Sequence, residues 1–475
     1  MAPMTRAAAV TLAILLAWGG SAGAQQSARN PSVDRVFANW DKPDSPGCAV
    51  GVVQNGRFIY QRGYGMANLD YDVPNAPEMV YYVGSVSKQF TAASIALLVL
   101  DGKISLDDDI RKYFPEMPDY GSPITVRHLV YHTSGIRDVY GIMSIAGLRM
   151  EDVYSDSEAV ALIARQKALN FKPGDQHLYS NSGYFLLAQL VKRVTGKSLR
   201  EFADDRIFRP LAMTHTHFHD DPGHVMKKRA MSYEPDGRGG YRISYLQNFD
   251  KIGAGGLYTT LDDMRKWDEN FYTRQVGGEA LQKLIHTRGV LNSGDTLAYA
   301  FGNFVGSYRG LRTVEHAGGL MGYKAHIYRF PEQHFSVLET CNLGSIDTGP
   351  LAEAVAEVYL GDKMGPRAAT AAARPGDRPP TGEGDMAPGA SNDYPNLVGD
   401  YYSDDVDATY HVVYRDGRLS YSGHHVPTQV LVPAGPDTFR AGNLTVRFER
   451  GAPGAPATAF TIGAGRALNF KFQRR

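Results

Sequence analysis

Gly84-Ser85-Val86-Ser87-Lys88 opens the run Gln89-Phe90-Thr91-Ala92-Ala93-Ser94-Ile95-Ala96-Leu97-Leu98-Val99-Leu100, which Asp101-Gly102 closes. The run is apolar on nearly every side and ends at a glycine, so 85–100 reads as a helix buried all round. Its start holds the only S-x-x-K of the chain. Residues three apart share a helix face, which lets the Ser85 hydroxyl and the Lys88 amine hydrogen-bond. A helix N-terminus also leaves the Ser85 N–H free for a developing oxyanion. A lysine titrates near 10.4, so work as a base at neutral pH needs a depression of about 3 units, or about 4 kcal/mol. Burial and a nearby donor or cation supply such shifts. The plainer alternative is an N-cap serine beside a snorkelling surface lysine.

Outward from this helix, 48–65 reads as a hairpin around Asn55-Gly56. Amphipathic segments follow at 157–166, 183–194 and 261–271, and strand-like runs return at 310–314, 323–329 and 335–340. Strands at both ends enclosing a helical middle predict an α/β fold, with helices packed on a sheet built from the two termini. From 365 to 393 the chain is Ala, Pro, Gly and charge without periodicity, which reads as a linker. Beyond it, short alternating runs at 408–414, 418–421, 429–432, 444–448, 459–462 and 467–472 predict a small antiparallel barrel or sandwich over 394–475.

The 475 residues carry 50 Lys+Arg against 50 Asp+Glu, with 28 Tyr and 20 Phe to bury. Disorder is excluded by the apolar content, and nucleic-acid binding is disfavoured by the missing basic excess. Arg6, the apolar run 7–18 and Ala22-Gly23-Ala24 have the layout of a signal peptide over 1–24, which predicts a periplasmic or secreted protein. No later run is long enough to span a membrane, so no integral membrane segment is expected after signal removal. Export permits a disulfide between Cys48 and Cys341, the only cysteines, and two separate buried thiols are the alternative.

Two further motifs stand in the chain. Tyr179-Ser180-Asn181 offers a phenol to shuttle a proton to a leaving group and an amide to hold a substrate carbonyl. His316-Ala317-Gly318-Gly319, after a strand-like run ending at Val314, offers small residues against which a substrate can lie, and a backbone N–H for an oxyanion hole.

Ser85-x-x-Lys88, Tyr179-x-Asn181 and His316-x-Gly318 resemble, in order and approximate spacing, the three motifs of the serine β-lactamase and penicillin-binding-protein superfamily. The stretches Ile124-Thr125-Val126-Arg127-His128-Leu129-Val130-Tyr131-His132-Thr133-Ser134-Gly135 and Gly255-Gly256-Leu257-Tyr258-Thr259-Thr260 are similar to its class C-like branch of D-aminopeptidases, D-Ala-D-Ala carboxypeptidases and family VIII esterases. The resemblance implies an antiparallel sheet flanked by helices plus a helical subdomain over 31–364. Within it, Ser85 is the acylated nucleophile and Lys88 with Tyr179 the relay base. Tyr179 also activates the deacylating water, Asn181 orients substrate, and the Ser85 and Gly319 N–H groups form the oxyanion hole. First and last sheet strands are neighbours in that fold, which allows the Cys48–Cys341 bridge. The 394–475 segment is similar to the lipocalin-like barrel appended to some members, acting either as a lid or specificity wall over the cleft or as a passive module that binds cell-wall material or partners.

Classical members have a lysine where His316 stands, and a largely neutral histidine predicts weaker affinity for anionic substrates. The expected substrates are D-residue peptides, amides or esters, as small molecules or short peptides, some peptidoglycan-derived. A class C-like β-lactamase or D-Ala-D-Ala carboxypeptidase is the alternative, and a non-catalytic penicillin- or peptidoglycan-binding module is the reading from another class. No cofactor or metal is expected. The run His215-Thr216-His217-Phe218-His219, with His224, reads as a surface loop before a metal site, and His424-His425 as a solvated turn before a contribution to the active site.

Overall fold

The computed structural model describes residues 29–244, 252–367, 393–442 and 444–475. The predicted leader at 1–24 and nearly all of the predicted 365–393 linker lie outside them. Strands β1 (Cys48–Gln54) and β2 (Arg57–Tyr64) form the hairpin, with Asn55 and Gly56 both at positive φ, 50° and 73°. That turn geometry matches the twist of the strands it joins. Four later strands, β3 (Phe304–Tyr308), β4 (Leu311–Leu320), β5 (Tyr323–Phe330) and β6 (Phe335–Cys341), complete an antiparallel sheet in the order β3-β4-β5-β6-β1-β2. The two ends of the 31–364 segment therefore meet where β6 pairs β1. Their register sets Cys48 opposite Cys341, and a disulfide joins the two.

Alternation along β1 divides the cores on the two sheet faces. Val50 and Val52 pack with Val355 and Ala356 of a C-terminal helix (Thr348–Leu360), while Ala49 and Val53 join the larger core of the helical middle. Helix α1 (Ser87–Leu100) lies in that larger core and is buried from Ser87 to Leu98, as its all-round apolar sequence requires. It begins two residues later than its pattern predicts, because a 3-10 turn, Gly84–Val86, carries Ser85. Strand β4 likewise runs past Val314 to Leu320, so His316 to Gly319 lie within a strand. Backbone pairing of Gly318 with Ala325 and Gly319 with Lys324 overrides the low strand preference of glycine.

Glu339 on β6 is fully buried, and neither carboxylate oxygen has a hydrogen-bond partner. Burial, with the Asp347 carboxylate adding to it, pushes this acid well above the ordinary glutamate range. Below the unfolded value near 4.5 the group is protonated in both states and does not oppose folding. Above it the unfolded chain loses the proton first, so stability falls with rising pH, by up to about 1.4 kcal/mol per unit, until the folded value is reached. Glu339→Gln is expected to remove this slope, read as a smaller loss of urea midpoint between pH 5 and pH 8 than in the wild type. An unchanged slope would show that Glu339 is ionised in the folded protein.

The C-terminal segment forms a nearly closed barrel of nine strands, β7 (Gly399–Ser403), β8 (Ala408–Arg415), β9 (Arg418–Gly423), β10 (Val426–Val430), β11 (Val432–Gly435), β12 (Thr438–Ala441), β13 (Leu444–Arg450), β14 (Ala457–Ala464) and β15 (Ala467–Arg474). Five of the predicted runs coincide with single strands. The run at 429–432 instead spans the break at Leu431 between β10 and β11, and β7 and β12 are too short to show an alternation. Tyr401, Tyr410, Tyr421, Phe448, Phe460 and Phe472 fill the barrel interior. Helix α2 (Val139–Ala146) of the 31–364 segment adds Ile142 and Ile145 to this same core. Its Gly141 allows the close fit, because a Cβ there would lie 2.5 Å from that of Ala467. Among the described residues no helix is long and apolar enough to cross a membrane.

Candidate active site

Ser85 is half-buried in its 3-10 turn, and Lys88, one turn on, is fully buried. The Lys88 Nζ lies 3.1 Å from Ser85 Oγ, 3.0 Å from Asn181 Oδ1 and 2.5 Å from the Ala254 carbonyl. Burial pushes the Lys88 ammonium well below the ordinary lysine value; the Arg466 guanidinium adds to the depression and the Asp138 carboxylate opposes it. A neutral amine has two N–H donors and one lone pair. With the two donors on Asn181 and Ala254, the neutral form would have its lone pair for the Ser85 O–H. The S-x-x-K spacing thus brings the hydroxyl and the amine within hydrogen-bond distance.

Tyr179 lies beside this pair, its ring centroid 4.8 Å from Lys88 Nζ. The phenol is buried without a completed hydrogen bond, although Ser85 lies near enough to ease its ionisation. Burial outweighs Ser85 and Arg466 and raises Tyr179 above the ordinary tyrosine range. Burial thus acts on the two groups in opposite chemical senses, favouring the neutral amine of Lys88 and the protonated phenol of Tyr179.

The Tyr179 loop is held by the 132–138 stretch. His132 Nδ1 accepts the Ser180 N–H at 3.0 Å, and the Ile136 and Arg137 carbonyls accept the Ser180 and Ser182 hydroxyls. Asp138 Oδ2 accepts both the Asn181 N–H at 2.7 Å and its Nδ2 at 2.9 Å, which fixes the amide so that Oδ1 faces Lys88. Both ends of the Asn181 amide are therefore engaged by protein, while its side chain still lines the cavity.

Strand β4 presses on the nucleophile turn backbone to backbone. A Cβ on Gly84, at φ +52°, would stand 2.5 Å from the Gly319 nitrogen, and one on Gly318 would stand 2.1 Å from the Val83 carbonyl and 2.7 Å from the Ser85 nitrogen. Glycine at these positions brings the Ser85 and Gly319 amides to one end of the cavity, where an oxyanion hole needs them. His316 is buried, with Nδ1 2.6 Å from the Ala317 carbonyl and Nε2 unpartnered. Burial lowers its pKa to about 3, so it faces the cavity as a neutral ring.

The cavity enclosed by these motifs has a volume of about 690 Å³, which suits a small molecule or short peptide. Its wall includes Lys324, Asp347 and Arg466. Arg466, from the turn between β14 and β15, was not visible as a site residue in the sequence, nor were Asp138 and the Ala254 carbonyl. The Gly253 and Ala254 carbonyls, beside the noted Gly255-Gly256, anchor α1 through Thr91 and Lys88. His425 lies apart from this cavity, in a groove between α2 and the barrel. His217 and His219 approach to 3.3 Å between ring nitrogens, and among the described residues no three His, Cys, Asp or Glu side chains form a metal-holding group.

The protein-family model described as Beta-lactamase matches residues 33–373. The chain is similar to the D-aminopeptidase of Gluconobacter oxydans, 27% identical over 297 residues that cover 62% of this chain and 56% of that protein. It thus spans little more than half the length of the curated relatives it matches. Its fold is similar to that of the octameric penicillin-binding protein homologue from Pyrococcus abyssi, with a TM-score of 0.62 at 21% identity over 93% of this chain and 98% of that one. It also resembles the D-amino acid amidase from Ochrobactrum anthropi, with a TM-score of 0.60 at 19% identity over 71% of this chain and all of that one.

Proposed function

The chain belongs to the beta-lactamase family, and on that premise we propose that it is an exported serine hydrolase that forms an acyl-enzyme on Ser85. The observation that carries the reading is the fully buried Lys88, whose Nζ lies 3.1 Å from Ser85 Oγ and is otherwise engaged by Asn181 Oδ1 and the Ala254 carbonyl. Ser85 gives its proton to Lys88 as the Oγ–C bond forms, and the Ser85 and Gly319 amides take the oxyanion. Tyr179 gives its proton to the leaving nitrogen or oxygen as that bond breaks, and Lys88 restores it. The neutral Lys88 then takes a proton from water, which displaces Ser85, and the proton returns to Oγ. The similarity to D-aminopeptidases supports D-residue peptides, amides or esters as substrates.

Mass spectrometry of the exported protein after fluorophosphonate treatment is expected to show a chain beginning at Gln25, with a covalent adduct on Ser85 and none in Ser85→Ala. A panel of p-nitrophenyl esters and D- and L-alanine p-nitroanilides is expected to show multiple turnovers. An adduct elsewhere overturns the assignment of the nucleophile, and acylation without release favours the non-catalytic binding module.

A further inference from the structure

We propose that Arg466, carried into the catalytic cavity by the barrel, binds a free carboxylate of the substrate on the leaving-group side of the scissile bond. The choice of side rests on the serine-hydrolase reading, in which Tyr179 protonates the leaving group. The anion subsite itself rests on geometry alone.

Arg466 follows Gly465, at φ +55°, in the tight turn between β14 and β15. Its backbone is fixed by the catalytic segment. The Arg466 carbonyl accepts Asp138 N–H at 3.3 Å and Asn170 Nδ2 at 2.9 Å, and Asn170 Oδ1 accepts the Leu468 N–H at 3.0 Å. The side chain then reaches over Tyr179, with Cζ 4.8 Å from the ring centroid, and lines the cavity that holds Ser85. Stacking on the ring orients the guanidinium plane without using its N–H groups.

Those donors are not spent on docking. Arg137, at the same interface, is buried and paired with Asp405 at 2.7 Å. Arg466 has no carboxylate partner among the described residues and is only partly buried. The acidic groups nearest its cavity are already engaged: Asp138 holds Asn181, and Asp347 caps a helix through Gly349 N–H. Lys324, the other cation of the wall, lies by Gly319, next to the oxyanion end. An unpaired, oriented guanidinium beside the leaving-group tyrosine is suited to bidentate recognition of a carboxylate. The loss of a lysine at His316 thus does not leave the site indifferent to charge, because the cation comes from the other domain.

Calorimetry in the Ser85→Ala background tests this without requiring turnover. N-acetyl-D-alanyl-D-alanine is expected to bind at least about tenfold more tightly than its C-terminal amide. Arg466→Met should abolish that preference, Arg466→Lys should restore part of it, and Lys324→Met should leave it in place. Equal affinity for acid and amide, binding of neither, a preference that survives Arg466→Met, or one lost only in Lys324→Met would each overturn the proposal. Turnover of the same pair by the wild type separates the two readings. Binding preference without hydrolysis overturns the hydrolase and leaves the carboxylate subsite standing.

Discussion

Lys88→Met is expected to slow acylation of Ser85 by about a thousandfold, the loss of one positioned general base. Lys88→Arg should be no faster, although it keeps a cation at the site, because a guanidinium cannot be deprotonated near neutral pH. The comparison separates base catalysis from electrostatic stabilisation, which arginine would preserve. The pH profile of wild-type kcat/KM provides the second readout. Only the neutral amine accepts the serine proton, so the rate should rise with pH through the Lys88 pKa and then level off. Burial and the Arg466 guanidinium put that rise well below 10.5. Tyr179, raised by burial, keeps its proton across the same range, so no alkaline fall from Tyr179 is expected near neutrality. An Arg variant with wild-type rate, or a rise at the ordinary lysine pH, would remove Lys88 from the role of base. Near-ultraviolet circular dichroism controls for folding, since methionine leaves Asn181 Oδ1 and the Ala254 carbonyl without the amine.

The parts of the site legible in the sequence are those encoded by short spacing. Ser85 and Lys88 declare themselves because three residues make one helical turn, and a helix buried on every side places that lysine where its charge is costly. Tyr179 with Asn181, and His316 with Gly318, carry weaker signals that gain force from their order. Asp138 has no local signal, because an aspartate at a helix N-cap is common and its second role, to Asn181, is made across the fold. The Ala254 carbonyl is backbone, to which any residue contributes equally. Arg466 lies at the far end of the chain in a turn that reads, correctly, as a barrel connection. Nothing there tells that α2 will be drawn into the barrel core and bring the turn to Tyr179. One of the barrel's turns forms part of the cavity wall, which agrees with the wall over the cleft that its sequence offers as the alternative to a passive module.

That docking rests on a buried ion pair, and Asp405→Ala is expected to cost about 3–5 kcal/mol because it strands a buried charge. Arg137 is 2% exposed; its Nη1 reaches Asp405 Oδ2 at 2.7 Å and Gln166 Oε1 at 3.1 Å, its Nη2 reaches the Asn469 carbonyl at 2.9 Å, and its Cζ lies 4.2 Å from the Phe470 ring centroid. Without Asp405 the guanidinium keeps only neutral acceptors, and its Nε already has none. Arg137→Met should cost less, because the Asp405 side chain is 14% exposed and can hydrate. The double variant Arg137→Met/Asp405→Ala should recover much of the loss, since removing both partners leaves no buried charge unpaired. Urea unfolding of the four proteins gives the coupling energy directly. The damage should extend beyond stability. Arg137 adjoins Asp138, and the barrel strand that receives Arg137 begins one residue after Arg466, so loosening this contact loosens the hold on Asn181 and withdraws the guanidinium from Tyr179 together. Asp405→Ala is therefore expected to lose catalytic efficiency and any preference for acid over amide in parallel. A variant that unfolds earlier in urea, yet keeps both when folded, would show that the barrel turn is held by the Asp138 and Asn170 contacts without help from the ion pair.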